Sequence, residues 1–340
     1  MLRIIPRNDA AVQGNWQKEL ANAITDPKDL LQFLQLDPEN FQSDIAARKL
    51  FPMRVPLSFA KRMQKANPND PLLLQVLPQH AEFIEVAGFN EDPLEEHQAA
   101  VPGLLHKYKS RVLFIVRGGC AVNCRYCFRR HFPYQDNSPN KQGWQQALNY
   151  IAQDQAINEV IFSGGDPLMA NDQQLAWLIE QLEQIPHLKR LRIHTRLPVV
   201  IPSRITIELT QLLAQTRLQT IVVSHINHPN EINQELSSAF AKLHEAGITL
   251  LNQGVLLKDI NDDASILAQL SEALFSANIL PYYLFLLDKV AGAAHYDIDE
   301  QSAVTIMQDL YQRLPGFLVP RLAREQAGKR SKTPIDIGLS

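Results

Sequence analysis

The chain is short of cysteine, of long apolar runs and of net charge, and each shortage excludes something. Its 340 residues include three cysteines, an odd number that strands one thiol in any disulfide scheme and does not suit a stapled, secreted fold. The most apolar stretch, 279–287, is interrupted by Pro281 and falls far short of the roughly 20 residues a membrane-spanning helix needs. The amino terminus, MLRIIPRNDAAVQ, lacks the long apolar core of a secretory leader. A formal charge of -3 gives no basic footprint for nucleic acid. No internal repeat or low-complexity tract interrupts the chain. What remains, 45% hydrophobic and 20% charged, is ordinary globular material for one large domain with an appendage. The expectation is a soluble, cytoplasmic protein.

All three cysteines stand in one run, Cys120-Ala-Val-Asn-Cys124-Arg-Tyr-Cys127. Scattered thiols are most simply buried small hydrophobes; three in a C-x3-C-x2-C loop look like ligands. Thiolate is the metal-binding form, and the neighbouring Arg125, Arg129 and Arg130 would favour it. Two metal readings are open at this point. His131 completes a Cys3His set for zinc. Alternatively the thiolates hold a [4Fe-4S] cluster, which normally takes four cysteines, so that one iron stays open to a ligand from outside the protein.

Residues 1–105 are rich in X-Pro punctuation and predict helices and turns. Asp26-Pro27 reads as a helix start, the aspartate capping and the proline in the first helical position, ahead of Leu30, Leu31, Phe33 and Leu34. From Arg111 onward short β-branched runs alternate with amphipathic ones. Strands are predicted at 111–116, 159–163, 190–195, 219–224, 248–257, 281–287 and 317–322, with helices at 171–185, 203–216, 231–246 and 263–277 among the stretches between them. This alternation predicts parallel β/α units, about six of them, short of a closed eight-unit barrel. The expected fold class is α/β: a partial (β/α)6 barrel over 106–325, an N-terminal helical region over 1–105 and a C-terminal segment over 326–340. An open flavodoxin-like sheet is the alternative. Polar groups gather after the strand carboxyl ends, where folds of this kind work: the cysteines, Ser163-Gly164-Gly165-Asp166, His194-Thr195-Arg196, Ser224-His225-Ile226-Asn227 and Asp288.

A three-cysteine loop leaving a strand, followed one β/α unit later by Gly-Gly-Asp, resembles radical S-adenosylmethionine (radical SAM) enzymes. The longer run CAVNCRYCFRRHF is similar specifically to the lysine 2,3-aminomutase family, and the likeness extends over about 50–335. It implies a TIM-like partial barrel of the radical SAM type, with Cys120, Cys124 and Cys127 on the irons of the cluster. Ser163, Gly164, Gly165 and Asp166 would then lie against the methionyl amino group of S-adenosylmethionine, and His225 is assigned to the same cofactor side. The run Gly328-Lys329-Arg330-Ser331-Lys332-Thr333-Pro334 resembles the family's pyridoxal 5'-phosphate motif with its glycines reduced to Gly328. Lys332 is then the Schiff-base lysine, and Lys329 its competitor. Lys107 and Arg111 stand on the phosphate side, Lys107 where an arginine is usual. Arg129 matches the position that grips the substrate carboxylate. Asp288 matches one of two carboxylates that meet the distant ammonium of lysine, and Glu325 replaces an aspartate as the second.

The activity the resemblance implies is an isomerisation. S-adenosylmethionine at the open iron is split to a 5'-deoxyadenosyl radical, and hydrogen is taken from C3 of L-lysine held on the pyridoxal group. The 2-amino group moves to C3, and hydrogen is returned. The compact chain and degenerate glycine run look like the short bacterial branch that makes (R)-β-lysine for a partner ligase to attach to elongation factor P. An electron donor is required. Rival readings are a stand-alone aminomutase of amino-acid metabolism, a radical SAM enzyme without pyridoxal phosphate, and a Cys3His zinc protein. Apolar patterning in the first hundred residues would serve an oligomer contact as readily as a lid.

Overall fold

The computed structural model describes residues 10–97, 101–134 and 141–339; most of the amino-terminal stretch read above for a leader lies outside them. Nine strands pair in sequence order: β1 (Leu104–Tyr108), β2 (Arg111–Arg117), β3 (Glu159–Gly164), β4 (Arg190–Thr195), β5 (Gln219–Ser224), β6 (Thr249–Val255), β7 (Leu280–Phe285), β8 (Arg321–Arg324) and β9 (Thr333–Pro334). Strands β2 to β8 are parallel, and β1 and β9 are antiparallel additions at the two edges. Helices cross between successive parallel strands: Lys141–Gln153, Asp172–Glu183, Ile207–Gln215, Gln234–Glu245, Ala264–Ser276 and Glu300–Arg313. That is the partial (β/α)6 plan, and among the described residues the sheet does not close on itself.

Local chemistry sets these boundaries. Asn171, Thr206, Asn233, Asp263 and Asp299 each accept a backbone amide of the turn that follows, starting five of the six crossover helices. Alternate strand residues, Val112 and Phe114, Val160 and Phe162, Leu191 and Ile193, pack outward with helical Leu148, Leu178 and Leu213 into the main core. By the same period of two, the intervening residues face the inside of the curved sheet. Polar side chains are kept there: Arg111, Glu159, Ser163, Arg192, His194, Gln253 and Tyr283.

The N-terminal helices join that main core through Trp16, Leu30, Leu31, Leu34, Phe59 and Leu72. Asp26 caps the helix Pro27–Phe33 as expected, accepting from the Lys28 amide at 2.9 Å. Two sequence expectations need correction. The segment 317–322 is not one strand: Gly316–Leu318 forms a 3-10 turn and pairing begins only at Arg321, because Pro320 has no N–H to give a ladder. Nor do the strands begin at Arg111: Lys107 belongs to β1, which turns back through Lys109 and Ser110 into β2, a hairpin without the glycine or asparagine that usually announces one. No described helix is long and apolar enough to cross a membrane.

Candidate active site

The cysteine loop leaves β2 with almost no regular structure of its own and is held by the N-terminal region. Arg54 Nη1 donates to the Cys120 carbonyl (3.1 Å), the Asn123 amide to Arg54 O (3.2 Å), and the Arg125 amide to Gln75 O (2.9 Å). Beneath the loop Glu82 takes two arginines: Arg125 Nε and Nη2 at 2.8 and 2.5 Å, and Arg130 Nη2 at 2.7 Å. Arg125 and the Glu82 side chain are fully buried. The arginines flanking the cysteines are therefore not free cations for the thiolates. Arg125 and Arg130 answer Glu82, and Arg129 answers Glu96. The cation that does reach a thiol comes from the end of β4: Arg196 Nη1 lies 2.7 Å from Cys124 Sγ. Its other partners are Tyr126, Gln75 and Glu231, with Nη2 at 2.7 Å from Gln75 Oε1 and 3.0 Å from Glu231 Oε2.

Burial and the neighbouring thiols push Cys120 well up and Cys127 to about 11. The thiols raise one another, so as thiolates they call for metal to share their charge, and a three-cysteine donor set of that kind suits an iron-sulfur cluster.

Ser163, Gly164, Gly165 and Asp166 close over the same loop. The Gly165 amide bonds Arg117 O (2.7 Å) and the Asp166 amide bonds Gly119 O (2.9 Å). Gly164 has φ +124°, and a Cβ on Gly165 would sit 2.5 Å from the Gly119 carbonyl, so both glycines are required by this backbone crossing. Asp166 was expected on the S-adenosylmethionine side together with the two glycines. Its carboxylate is engaged inside the protein, accepting from the Leu168, Arg196 and Leu197 amides and from Thr195 Oγ1 at 2.7–3.0 Å. It ties the β3 loop to the β4 loop, and what this element can offer a ligand is backbone. His225 stacks on Tyr126 with ring centroids 5.7 Å apart, and burial, followed by Arg196, lowers it to about 3, so it is neutral.

A second group gathers at the open side of the sheet. Lys332 Nζ lies over the rings of Phe285 (4.0 Å) and Tyr283 (5.0 Å), 4.0 Å from Glu325 Oε2. Burial lowers its pKa to about 8 against the pull of Glu325. Lys329 is exposed. Glu325 accepts from Tyr108 Oη at 2.8 Å and stands 3.8 Å from Lys107. Lys107 is bound more closely by Glu96, at 2.7 Å. Arg111 lies over the Tyr108 ring with no carboxylate in ion-pair reach among the described residues. Asp288 likewise has no ion-pair partner among them, and burial, then Glu325 and Glu96, raise it to about 7. Arg192 Nε, His194 Nε2 and Gln253 Oε1 are buried without hydrogen-bond partners among the described residues. Orphaned polar atoms of that kind call for a polar ligand.

Comparison with known proteins bears on what those ligands are. Residues 114–269 match the radical SAM superfamily. The chain is 59% identical to L-lysine 2,3-aminomutase of Haemophilus influenzae over 98% of its own length and 99% of the relative's, and 56% identical to the Escherichia coli protein of that name over 100% and 99%. The L-lysine 2,3-aminomutase of Clostridium subterminale is 33% identical, over 95% of this chain and 78% of the relative.

This chain belongs to the lysine 2,3-aminomutase family of radical SAM isomerases.

Family membership decides between the two metal readings in favour of the [4Fe-4S] cluster and S-adenosylmethionine over zinc. His131, the fourth zinc ligand of that alternative, lies with Nε2 3.2 Å from the Ala291 carbonyl. The fold brings the sequence-predicted residues into two groups. Cys120, Cys124, Cys127, Ser163, Gly164, Gly165, Asp166 and His225 surround the cluster loop. Lys107, Arg111, Asp288, Glu325 and Lys332 stand at the open side, with Arg129 between the groups through Ser163 (3.1 Å) and Glu96 (2.6 Å). Sequence reasoning passed over Glu82, Glu96, Tyr108 and Arg192. Arg192 was legible as a charge at an inward strand position, two residues before His194. The others are single polar residues in irregular or hairpin segments, and their side-chain hydrogen-bond partners lie 43 and 48 positions away for Glu82, 217 for Tyr108, and 11 and 33 for Glu96.

Proposed function

We propose that the chain converts L-lysine to (R)-β-lysine with the cluster, S-adenosylmethionine and pyridoxal 5'-phosphate, for attachment to elongation factor P by a partner ligase, in the cytoplasm. What supports it is one convergence. A lysine amine of lowered basicity and a carboxylate without an ion-pair partner stand within electrostatic reach of each other, with an arginine joined to them through the Glu325 field and to the cluster side through Ser163, in a chain whose relatives, matched over 99% of their length, bear the aminomutase name. The short branch is supported by length: the chain spans 99% of the Haemophilus and Escherichia relatives but 78% of the Clostridium one.

When bound, the cluster with S-adenosylmethionine supplies the radical, and pyridoxal phosphate carries the migrating amine. The chain supplies placement. Lys332 is the amine that attaches the aldehyde, and Arg111 is the cation facing the phosphate, since Lys107 is engaged by Glu96. Arg129 offers its Nη2 side to the substrate carboxylate. Asp288 meets the substrate ammonium first; Glu325 is already engaged by Tyr108 and Lys332.

Anaerobic incubation with L-lysine, S-adenosylmethionine and a strong reductant, followed by chiral analysis, should yield (R)-β-lysine. With elongation factor P and its ligase added, the product should appear on that protein. No β-lysine under reducing conditions would refute the activity; free β-lysine that the ligase does not use would point to amino-acid metabolism.

The pH dependence has a definite sign. Below about 7 Asp288 holds its proton and does not attract an ammonium, so lysine affinity should rise as pH goes from 6 to 8. In the ligand-free protein the same raised pKa works against stability: the fold favours protonated Asp288, and this contribution is lost as pH climbs from the ordinary carboxylate range through 7. Asp288→Asn should flatten the affinity profile and weaken lysine binding about ten-fold or more. A variant that keeps the wild-type slope would remove Asp288 from this role.

A further inference from the structure

We propose that Glu96 is a positioning residue for the substrate carboxylate: it fixes the Nε edge of Arg129, holds Lys107 with its second oxygen, and so leaves one face of Arg129 for the incoming amino acid. The proposal rests on the reading of Arg129 given above.

Geometry comes first. Glu96 is 4% exposed. Its Oε2 lies 2.6 Å from Arg129 Nε and its Oε1 2.7 Å from Lys107 Nζ. From the other side Ser163 Oγ and the Gly164 carbonyl take Arg129 Nη1 at 3.1 and 3.4 Å. A guanidinium gripped at both Nε and Nη1 cannot rotate. Its Nη2 has no hydrogen-bond partner among the described residues, so a carboxylate must approach end-on and cannot use the Nε side.

Charge follows. Glu325, 3.8 Å from Lys107, adds a second carboxylate to this group, so the cation left to the substrate carboxylate is the unengaged edge of Arg129.

The third observation is how Glu96 is delivered. Asn90 is bridged to the loop after β7, its amide to Lys289 O (3.0 Å) and its carbonyl to the Ala291 amide (2.8 Å). The Asp92 carboxylate then accepts the Glu96 amide (2.8 Å) and the His97 amide (3.1 Å). The His97 ring sits edge-on to Phe132. One strap thus joins the loop that carries Asp288 to the side chain that aims Arg129, the residues read as meeting the two ends of a bound lysine.

The test is equilibrium binding to protein loaded with cluster and pyridoxal phosphate but left unreduced, read from the visible band of the pyridoxal group. The carboxylate-free probe is 1,5-diaminopentane. Glu96→Gln should keep iron and pyridoxal contents and raise the Kd and KM of lysine about ten-fold or more with kcat little changed. The Kd of diaminopentane should stay within about two-fold. Glu96→Asp, which keeps the charge, should recover part of the loss and serves in place of the glutamine variant if that one fails to fold. In an Arg129→Ala background Glu96→Gln should add nothing. Lysine bound by Glu96→Gln as tightly as by wild type, or more tightly, overturns the proposal. So does an equal weakening of diaminopentane, or an undiminished effect in the Arg129→Ala background. Wild-type protein that takes up no pyridoxal phosphate overturns the functional reading and this proposal with it, whereas a wild-type response matched by Glu96→Gln overturns this proposal alone.

Discussion

Lys332→Ala is expected to strip the pyridoxal group from the purified protein and to lower turnover on the order of 10⁴-fold or more, with iron and sulfide unchanged. The amine must be neutral to attack an aldehyde. At pH 7 a lysine of pKa about 8 is roughly one-tenth neutral, against about one part in 2,500 for an ordinary lysine. That advantage comes from burial against Tyr283 and Phe285, and Glu325 limits it by attracting the charged form. Lys329 lies three positions earlier on exposed backbone, so Lys329→Ala is the control and should keep the chromophore. If Lys329→Ala loses the pyridoxal band and Lys332→Ala keeps it, the assignment of the attachment site is reversed. If neither variant changes pyridoxal content, the cofactor does not depend on this segment.

The contrast between these two lysines shows where sequence was informative. Thr333-Pro334 led the sequence reading to Lys332 over Lys329, and the structure shows how the two amines differ: β9 pairs with β8 and Lys332 lies over Tyr283 and Phe285 while Lys329 stays in solvent. Periodicity revealed the parallel strands and clustering revealed the cysteine loop, because both signals are local. The Asp26 cap was equally local. The ion pairs around the cysteines were not. The arginine triplet looked like an electropositive flank, and its partners, Glu82 and Glu96, lie 33 to 48 residues away in stretches of unremarkable composition. The partners of the Asp166 carboxylate were equally out of reach: Thr195 and the Arg196 and Leu197 amides come from the end of the neighbouring strand, 29 to 31 residues on.

Glu82→Ala should be the most damaging change outside the residues read as touching ligand, costing about 3–5 kcal/mol of the roughly 5–15 kcal/mol by which a domain is held folded. Glu82 serves two guanidinium groups at once, and Arg125 is fully enclosed. Removing the carboxylate leaves two charges without a counterion where water does not reach. Backbone carbonyls remain to Arg125 from Phe51 and to Arg130 from Gly292, but they do not neutralise charge. The damage would be transmitted directly, since Arg125 and Arg130 flank Cys124 and Cys127 in sequence and the triad pins the loop to the helical region. Apoprotein of Glu82→Ala should therefore unfold at lower denaturant, and reconstituted protein should hold less iron per chain. Glu82→Gln separates charge from shape: it keeps part of the hydrogen bonding, so its stability should fall between the alanine variant and wild type. A Glu82→Ala protein with the wild-type unfolding midpoint and full iron content would mean that the pair of arginines relaxes to solvent, and that the cysteine loop is held without them by its contacts to Arg54, Gln75, Asp166 and Arg196.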